Sequence, residues 1–399
     1  MMKRIAVFIF SFLFINCFSQ QVSKSWMNLN YASDSLNYHL LDIYLPEVQK
    51  KIYPAVIVIY GSAWFGNNLK RTGFTTLGKP LLDMGFAVIT PNHRASTDAT
   101  FPAQIHDIKA VIRFIRANAE TYQIDTSFIG ITGYSSGGHL ASLAGTSGSV
   151  KEYTVGTTTY DLEGTVGPYL SYASSVDAVV DWFGPTDFLV MNSCGGTGHN
   201  DSSSPESSLI GGPIQANPDQ CALANPITYI DADDPPFLIL HGDADPLVPY
   251  CNSEMFCNAL QQANVSSQFV LVPDAQHGPG LFEEPYFKMM ADFFTAQLSE
   301  TKVGIENGFK PEHFSVSQNY PNPFNPCTTI RFTLPGKLLV TLTVFDTLGQ
   351  KVTTLVSGEM LPPGTHACQW NAHGLSSGLY FYRLQAGSYI ETKKLVFLG

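Results

Sequence analysis

Short apolar runs recur along the chain: "PAVIVIY" (54–60), "FAVIT" (86–90), "FIGIT" (128–132), "DAVVD" (177–181), "PFLILH" (236–241) and "QFVLV" (268–272). Few polar residues interrupt them, so they predict strands buried on both faces, as in a parallel sheet. The stretch "YHLLDIYLP" (38–46) alternates instead and predicts an antiparallel edge strand. Between the runs the period lengthens. In "PAQIHDIKAVIRFIRANAETY" (102–122), Ile105, Ile108, Ile112 and Ile115 share one helical stripe, and similar patterns occupy 254–263 and 284–298. Strand and helix alternating in this way predict a doubly wound α/β domain with a mostly parallel sheet over residues 21–300.

Two stretches break the rhythm. Residues 145–175 are rich in Thr, Ser, Gly and Tyr, and 192–225 contain "CGGTGHNDSSSPESS". Loops this long either border a site or decorate the surface. Residues 301–316 read as a linker. Across 317–399 Ile330/Phe332/Leu334 and Val340/Leu342/Val344 alternate, with Gly and Pro at regular intervals, which predicts a small all-β sandwich domain.

The beginning is different again. Met1-Met2-Lys3-Arg4 precedes an apolar run from Ile5 to Ile15, then Asn16-Cys17-Phe18-Ser19-Gln20. A basic start and an apolar segment too short for a bilayer predict an export signal over 1–20, cut near Gln20, and no stable membrane span. Asn16 is too large for the small residue that precedes a lipid-modified cysteine, which argues against Cys17 as an anchor.

Export changes the reading of the cysteines. Six of the seven follow the signal, and an even number in an oxidising compartment predicts disulfides. Nearness in sequence pairs Cys194 with Cys221 and Cys251 with Cys257, leaving Cys327 and Cys368 in the tail. No Cys or His group has zinc spacing, so no metal is expected. A net charge of −11 without a basic cluster argues against a nucleic-acid partner. With 44% hydrophobic and 14% charged residues the chain has the composition of a folded protein, not a disordered one.

The candidate chemistry starts at "ITGYSSGGHLA" (131–141), where a predicted strand meets a predicted helix. Gly133-Tyr134-Ser135-Ser136-Gly137 has the strand–turn–helix context of a nucleophile elbow, in which Ser135 takes a strained backbone and presents its hydroxyl. A serine needs a base, and the base needs an orienting acid, in the chain order Ser, acid, His. "PFLILH" runs into "GDADPLVPY", which supplies Asp243 and Asp245, and "QFVLV" runs into "PDAQHGPG", which supplies His277. Each lies after a predicted strand, at the end of the sheet where ligands bind. His139, His106 and His241 read as structural hydrogen-bonders, and Asp274 as a turn-former. After "PAVIVIY", the small-residue loop Gly61-Ser62-Ala63-Trp64 stands in the place of the HGGG-type oxyanion motif that accompanies such an elbow, with Tyr60 in place of its His. The backbone N–H groups of Ser62, Ala63 and Ser136 are the expected oxyanion donors. Trp64 and Tyr134 are the expected substrate contacts, Trp64 either lining an acyl pocket or standing at its rim.

"YGSAW", "FPAQIHDIKAVIRFIRANAETYQID", "ITGYSSGGHLASLAG", "DWFGPTDF" and "PPFLILHGDADPLVPY" resemble the α/β-hydrolase carboxylesterases of the bifunctional feruloyl and acetyl-xylan esterase type, over roughly 30–300. That resemblance implies an acid before "P-x-V-P", which here is Asp245. "NYPNPFNPCTTIRF", "VFDTLGQKVTTLV", "LPPGTH" and "GLYFYRLQAGSYIETKKLVFL" resemble the C-terminal sorting domain of the type IX secretion system, with an adhesive or carbohydrate-binding sandwich as the alternative.

The expected protein is a secreted or surface serine carboxylesterase. It hydrolyses small-molecule or polysaccharide esters, short acyl or feruloyl, through a Ser135–His277–Asp245 triad and an acyl-enzyme, without a cofactor. Its partner is the type IX machinery. The alternatives are a serine peptidase of the prolyl oligopeptidase kind, weakened because no β-propeller precedes the catalytic domain, and a non-catalytic binding protein on a hydrolase fold.

Overall fold

The apolar runs pair into an eight-stranded sheet. Its strands are β1 (Val22–Asn30), β2 (Leu40–Pro46), β3 (Tyr53–Ile59), β4 (Ala87–Pro91), β5 (Ile124–Tyr134), β6 (Ala178–Trp182), β7 (Phe237–Gly242) and β8 (Ser267–Val272). They lie in the order β1-β2-β4-β3-β5-β6-β7-β8. β1 pairs antiparallel with β2, and β2 with β4, while the remaining pairs are parallel. The structure is a computed structural model that describes residues 22–305, 314–319, 321–361, 364–387 and 389–398. The export signal expected over 1–20, Cys17 included, and residues 306–313 of the expected linker lie outside the described residues.

Successive side chains of β3 serve opposite faces, as strand geometry requires. Ala55, Ile57 and Ile59 join one core, and Val56 and Val58 the other. On the first face packs α1 (Ala103–Ala117), whose Ile105, Ile108, Ile112 and Ile115 are all 0% exposed. Burying each isoleucine stabilises the fold by about 1.5–3 kcal/mol. The same core takes in Leu140 and Leu143 of α2 (Ser136–Thr146) and Phe256 and Leu260 of α3 (Cys251–Gln262). On the second face α4 (Glu284–Ile305) supplies Met290, Phe293 and Phe294. Helices on both faces of a mostly parallel sheet make the domain doubly wound, as expected.

The structure departs from the sequence reading at the margins. The edge strand is β1, not 38–46, and its polar sequence "VSKSWMNLN", half-exposed along its length, carries little apolar signal. β8 is the opposite edge, and Leu271 is 39% exposed there, so "QFVLV" is not buried on both faces. α4 continues to Ile305, into the stretch read as linker.

The stretch 145–175 holds a two-stranded hairpin, Glu152–Val155 with Thr158–Asp161, and is fastened to α1. Lys109 Nζ donates to the carbonyls of Ser147 (2.7 Å) and Val150 (2.9 Å), Arg113 pairs with Glu163, and His106 Nε2 meets the Asp161 carbonyl at 2.9 Å. The stretch 192–225 contains two short helices, Pro205–Ile210 and Pro218–Ala224. It is tied to the start of α3 by a disulfide between Cys194 and Cys251. The pairings expected from nearness in sequence are therefore overturned: Cys221, Cys257, Cys327 and Cys368 are thiols. Cys221 and Cys257 are buried in the core.

The described residues from Phe314 onward belong to a second compact unit. Ser315–Val316, Cys327–Leu334 and Gly364–Asn371 make one antiparallel sheet. Lys351–Leu361, Leu338–Phe345, Gly378–Ala386 and Tyr389–Phe397 make another. Ile330, Phe332 and Leu334 from the first share a core with Val340, Leu342, Val344, Tyr382 and Leu395 from the second. This is the expected all-β sandwich.

Candidate active site

β5 ends at Tyr134 and α2 begins at Ser136, so Ser135 carries the whole change of direction. It does so at φ +55°, ψ −126°, a backbone state that costs on the order of 1–3 kcal/mol for a residue with a side chain. The neighbouring glycines make the turn possible. A Cβ on Gly133 would stand 2.2 Å from the Gly137 carbonyl oxygen, and one on Gly137 would stand 2.4 Å from that of Ile59. A Cβ on Gly138 would come within 2.3 Å of Asp181 Oδ1. Strand, elbow and helix are pressed together so closely that only glycine fits.

The loops after β7 and β8 converge on this serine. Ser135 Oγ lies 2.9 Å from His277 Nε2, and His277 Nδ1 lies 2.7 Å from Asp245 Oδ2. A carboxylate accepts from Nδ1–H, which leaves Nε2 to accept the Ser135 hydroxyl hydrogen. Asp243 does not reach this chain. Its carboxylate accepts the Asp274 N–H at 2.7 Å and so fastens the acid loop to the histidine loop. The expected Ser135, His277 and Asp245 are brought together, and Asp243 is not.

Asp245 is heavily supported. Its Oδ1 accepts the N–H groups of Leu247 (2.8 Å) and Val248 (3.0 Å). Its Oδ2 also lies 3.3 Å from Nε2 of His241, a residue with 0% exposure. The carbonyl of Val248, 2.9 Å from that same Nε2, can only accept, so Nε2 carries the hydrogen and Nδ1 accepts from Ser253 Oγ at 2.7 Å. Burial works against the Asp245 charge, but the hydrogen bonds from His241 and His277, the nearby His277 and the Val248 N–H prevail. They hold the carboxyl well below the usual carboxylate range.

His241 was read only as a structural hydrogen-bonder. The signal of its second task was its position, at the end of β7 and four residues before the acid. Phe183, quoted only within "DWFGPTDF", was not singled out: its ring centroid lies 4.6 Å from that of His277, on a backbone with φ +45°.

The loop after β3 approaches from the other side. Ser62 N–H donates to Ser136 Oγ at 2.8 Å, so it is not free to hold an oxyanion, contrary to expectation. The N–H groups of Ala63 and Ser136 donate to no protein acceptor among the described residues. Ala63 (φ +50°) and Trp64 (φ +58°) both take left-handed backbone, the region glycine visits without cost.

Trp64 corrects a second expectation. It is 2% exposed, so it neither lines a pocket nor stands at a rim. Its indole N–H donates to His139 Nδ1 at 3.2 Å, and His139 Nε2 faces the Ala224 carbonyl at 2.7 Å. Burial lowers the His139 pKa to about 4, and the neutral ring links the loop after β3, α2 and the 192–225 stretch. Tyr134 is also largely covered, 9% exposed and edge-on to Phe282 at 5.5 Å.

Among the described residues no cluster of three or more His, Cys, Asp or Glu could hold a metal ion, and no helix is long and apolar enough to cross a membrane.

A family model described as BD-FAE matches residues 41–260, and one described as a secretion system C-terminal sorting domain matches 318–397. A solved structure described as a truncated form of a carbohydrate esterase from gut microbiota is 54% identical, with a TM-score of 0.68, covering 70% of this chain and 98% of that one. A bifunctional GH43-CE protein of Bacteroides eggerthii is 56% identical, with a TM-score of 0.66, over 68% of this chain and 35% of that one. Esterase LipQ of Mycobacterium tuberculosis is 28% identical over 261 residues, which is 64% of this chain. The chain spans about half the length of the curated relatives it matches, 58% and 49% of two of them.

Proposed function

Since the chain belongs to the BD-FAE family of α/β-hydrolases, we propose that it is a secreted serine carboxylesterase acting on short acyl esters of a polysaccharide. The observation that carries this reading is the chain Ser135 Oγ–His277 Nε2, His277 Nδ1–Asp245 Oδ2, at 2.9 and 2.7 Å. Ser135 Oγ attacks the ester carbonyl carbon while its proton passes to His277 Nε2. Asp245 stabilises the imidazolium. The N–H groups of Ala63 and Ser136 hold the tetrahedral oxyanion, a task in which one donor is worth about 10²–10³ in kcat. Collapse breaks the bond to the alcohol, which leaves with the Nε2 proton. Water, deprotonated by the same nitrogen, then releases the acid and restores Ser135. None of these steps calls for a cofactor.

The polysaccharide alcohol is supported by the carbohydrate esterase at 54% identity and by the sorting-domain match, from which we infer export through the type IX machinery. Short acyl groups are inferred from the loop after β3, where Ser62 and Ala63 carry side chains in place of glycines. Turnover of a series of p-nitrophenyl esters, acetylated xylan, feruloyl esters and chromogenic peptides tests the proposal. Acetyl and butyryl esters should exceed octanoyl and longer ones in kcat/KM by at least about tenfold, or ~1.4 kcal/mol. Acetate should be released from xylan. Peptides as best substrates would favour a peptidase, and decanoyl esters as best substrates would end the polysaccharide reading.

A further inference from the structure

In a glycine-rich oxyanion loop, backbone freedom lets the N–H groups turn toward the reacting carbonyl. Here the loop contains Ser62, Ala63 and Trp64, two of them in left-handed conformation, so something else must hold it. Beside the Trp64 indole bond to His139, which fastens the loop to α2, three of its ties involve side chains. Ser62 Oγ accepts the Gly66 N–H at 3.0 Å, and Tyr60 Oη donates to the Gly66 carbonyl at 3.0 Å, which close the loop on itself. Neither tie reaches the elbow at Ser135 and Ser136. The third does: Ser62 N–H donates to Ser136 Oγ at 2.8 Å, and Ser136 is 2% exposed at the first turn of α2.

From this we infer that the Ser136 hydroxyl is a positioning residue for the oxyanion site, distinct from the backbone N–H of the same residue. By capturing Ser62 N–H it fixes the register of the loop against the elbow. The Ala63 N–H, one residue on, is thereby aimed beside the Ser136 N–H. Without the hydroxyl, Ser62 N–H is left without a partner beside the elbow, and the left-handed pair at 63–64 loses one of the contacts that offset its strain, the indole bond to His139 remaining. The inference rests on the esterase reading for its role in turnover, but not for its geometry.

The test is the rate at which a fluorophosphonate modifies Ser135, measured for the full chain and for Ser136→Ala. Phosphonylation needs the nucleophile and the oxyanion donors, whether or not the protein turns over acyl esters. Ser136→Ala keeps its backbone N–H, so a loss reports the side chain alone. Labelling should slow by about tenfold or more, because displacing a donor by about 1 Å costs roughly that much or greater. The melting temperature should fall by only a few degrees. On any ester that the wild type hydrolyses, kcat per titrated Ser135 should fall in step while KM stays within about twofold, the split of a contact made in the transition state. Equal labelling rates in the two proteins would overturn the inference, as would a rise in KM at unchanged kcat. A wild type that is labelled but hydrolyses no ester would sink the esterase reading and leave the labelling comparison to decide this one.

Discussion

Asp245 Oδ2 lies 2.7 Å from His277 Nδ1 and 3.3 Å from His241 Nε2, so two imidazoles share one carboxylate oxygen. Asp243, two residues earlier, is occupied by the Asp274 N–H. Asp245→Asn should therefore lower kcat by roughly 10³–10⁴, because an amide stabilises no imidazolium and imposes the wrong tautomer. Asp243→Asn should cost less than about tenfold, through a loosened loop. Steady-state kinetics of the two variants check this, and the reverse ranking would move the acid to Asp243.

The depressed pKa of Asp245 has a consequence for stability. Burial opposes its charge, the hydrogen bonds from His241 and His277 favour it, and the folded value ends below the ordinary 3.8. A group depressed on folding contributes stability that is complete above its unfolded pKa and fades as pH falls through the folded one. The stability gap between wild type and Asp245→Asn should thus narrow as the pH falls below ~4–5. Urea midpoints of both proteins across that range give the answer. A gap that stays flat in acid would contradict the assigned hydrogen bonds.

Trp64 holds the neutral His139 ring in place. Trp64→Phe removes the donor to a fully buried Nδ1, which should destabilise the fold by about 1–3 kcal/mol. Acyl-chain preference should be unchanged, since the indole is covered. Thermal unfolding and an ester-length series separate the two effects. A changed length preference at unchanged stability would return Trp64 to the acyl pocket.

The disulfide makes a different claim. Cys194 and Cys251 are 57 residues apart, and closing a loop of that size typically stabilises by about 2–4 kcal/mol. Non-reducing peptide mapping should recover a Cys194–Cys251 cross-link, and Cys194→Ser should melt lower than wild type. A Cys194–Cys221 link would restore the pairing by nearness in sequence.

The sheet was legible because its central strands, such as 54–60 and 236–241, must be apolar on both faces. The edges were not: β1 buries little, so "VSKSWMNLN" has no pattern to read. Ser135, Asp245 and His277 were legible because the fold places each after a strand in a fixed order. The misreadings share one cause. Whether Trp64 faces a pocket or the core, and whether Ser62 N–H is free, depends on residues about 75 positions away, at His139 and Ser136. No local pattern carries that. The disulfide joins residues that only the folded 192–225 stretch brings together.

The central claim is that Ser135 is the nucleophile of an ester hydrolase. Its most direct test is the turnover of p-nitrophenyl acetate and acetylated xylan by wild type and Ser135→Ala, with mass mapping of the site that a fluorophosphonate labels. The account predicts a loss of about 10⁴ or more in kcat and a label on Ser135 alone. Unchanged turnover in the variant, or a label on Ser136, would contradict it.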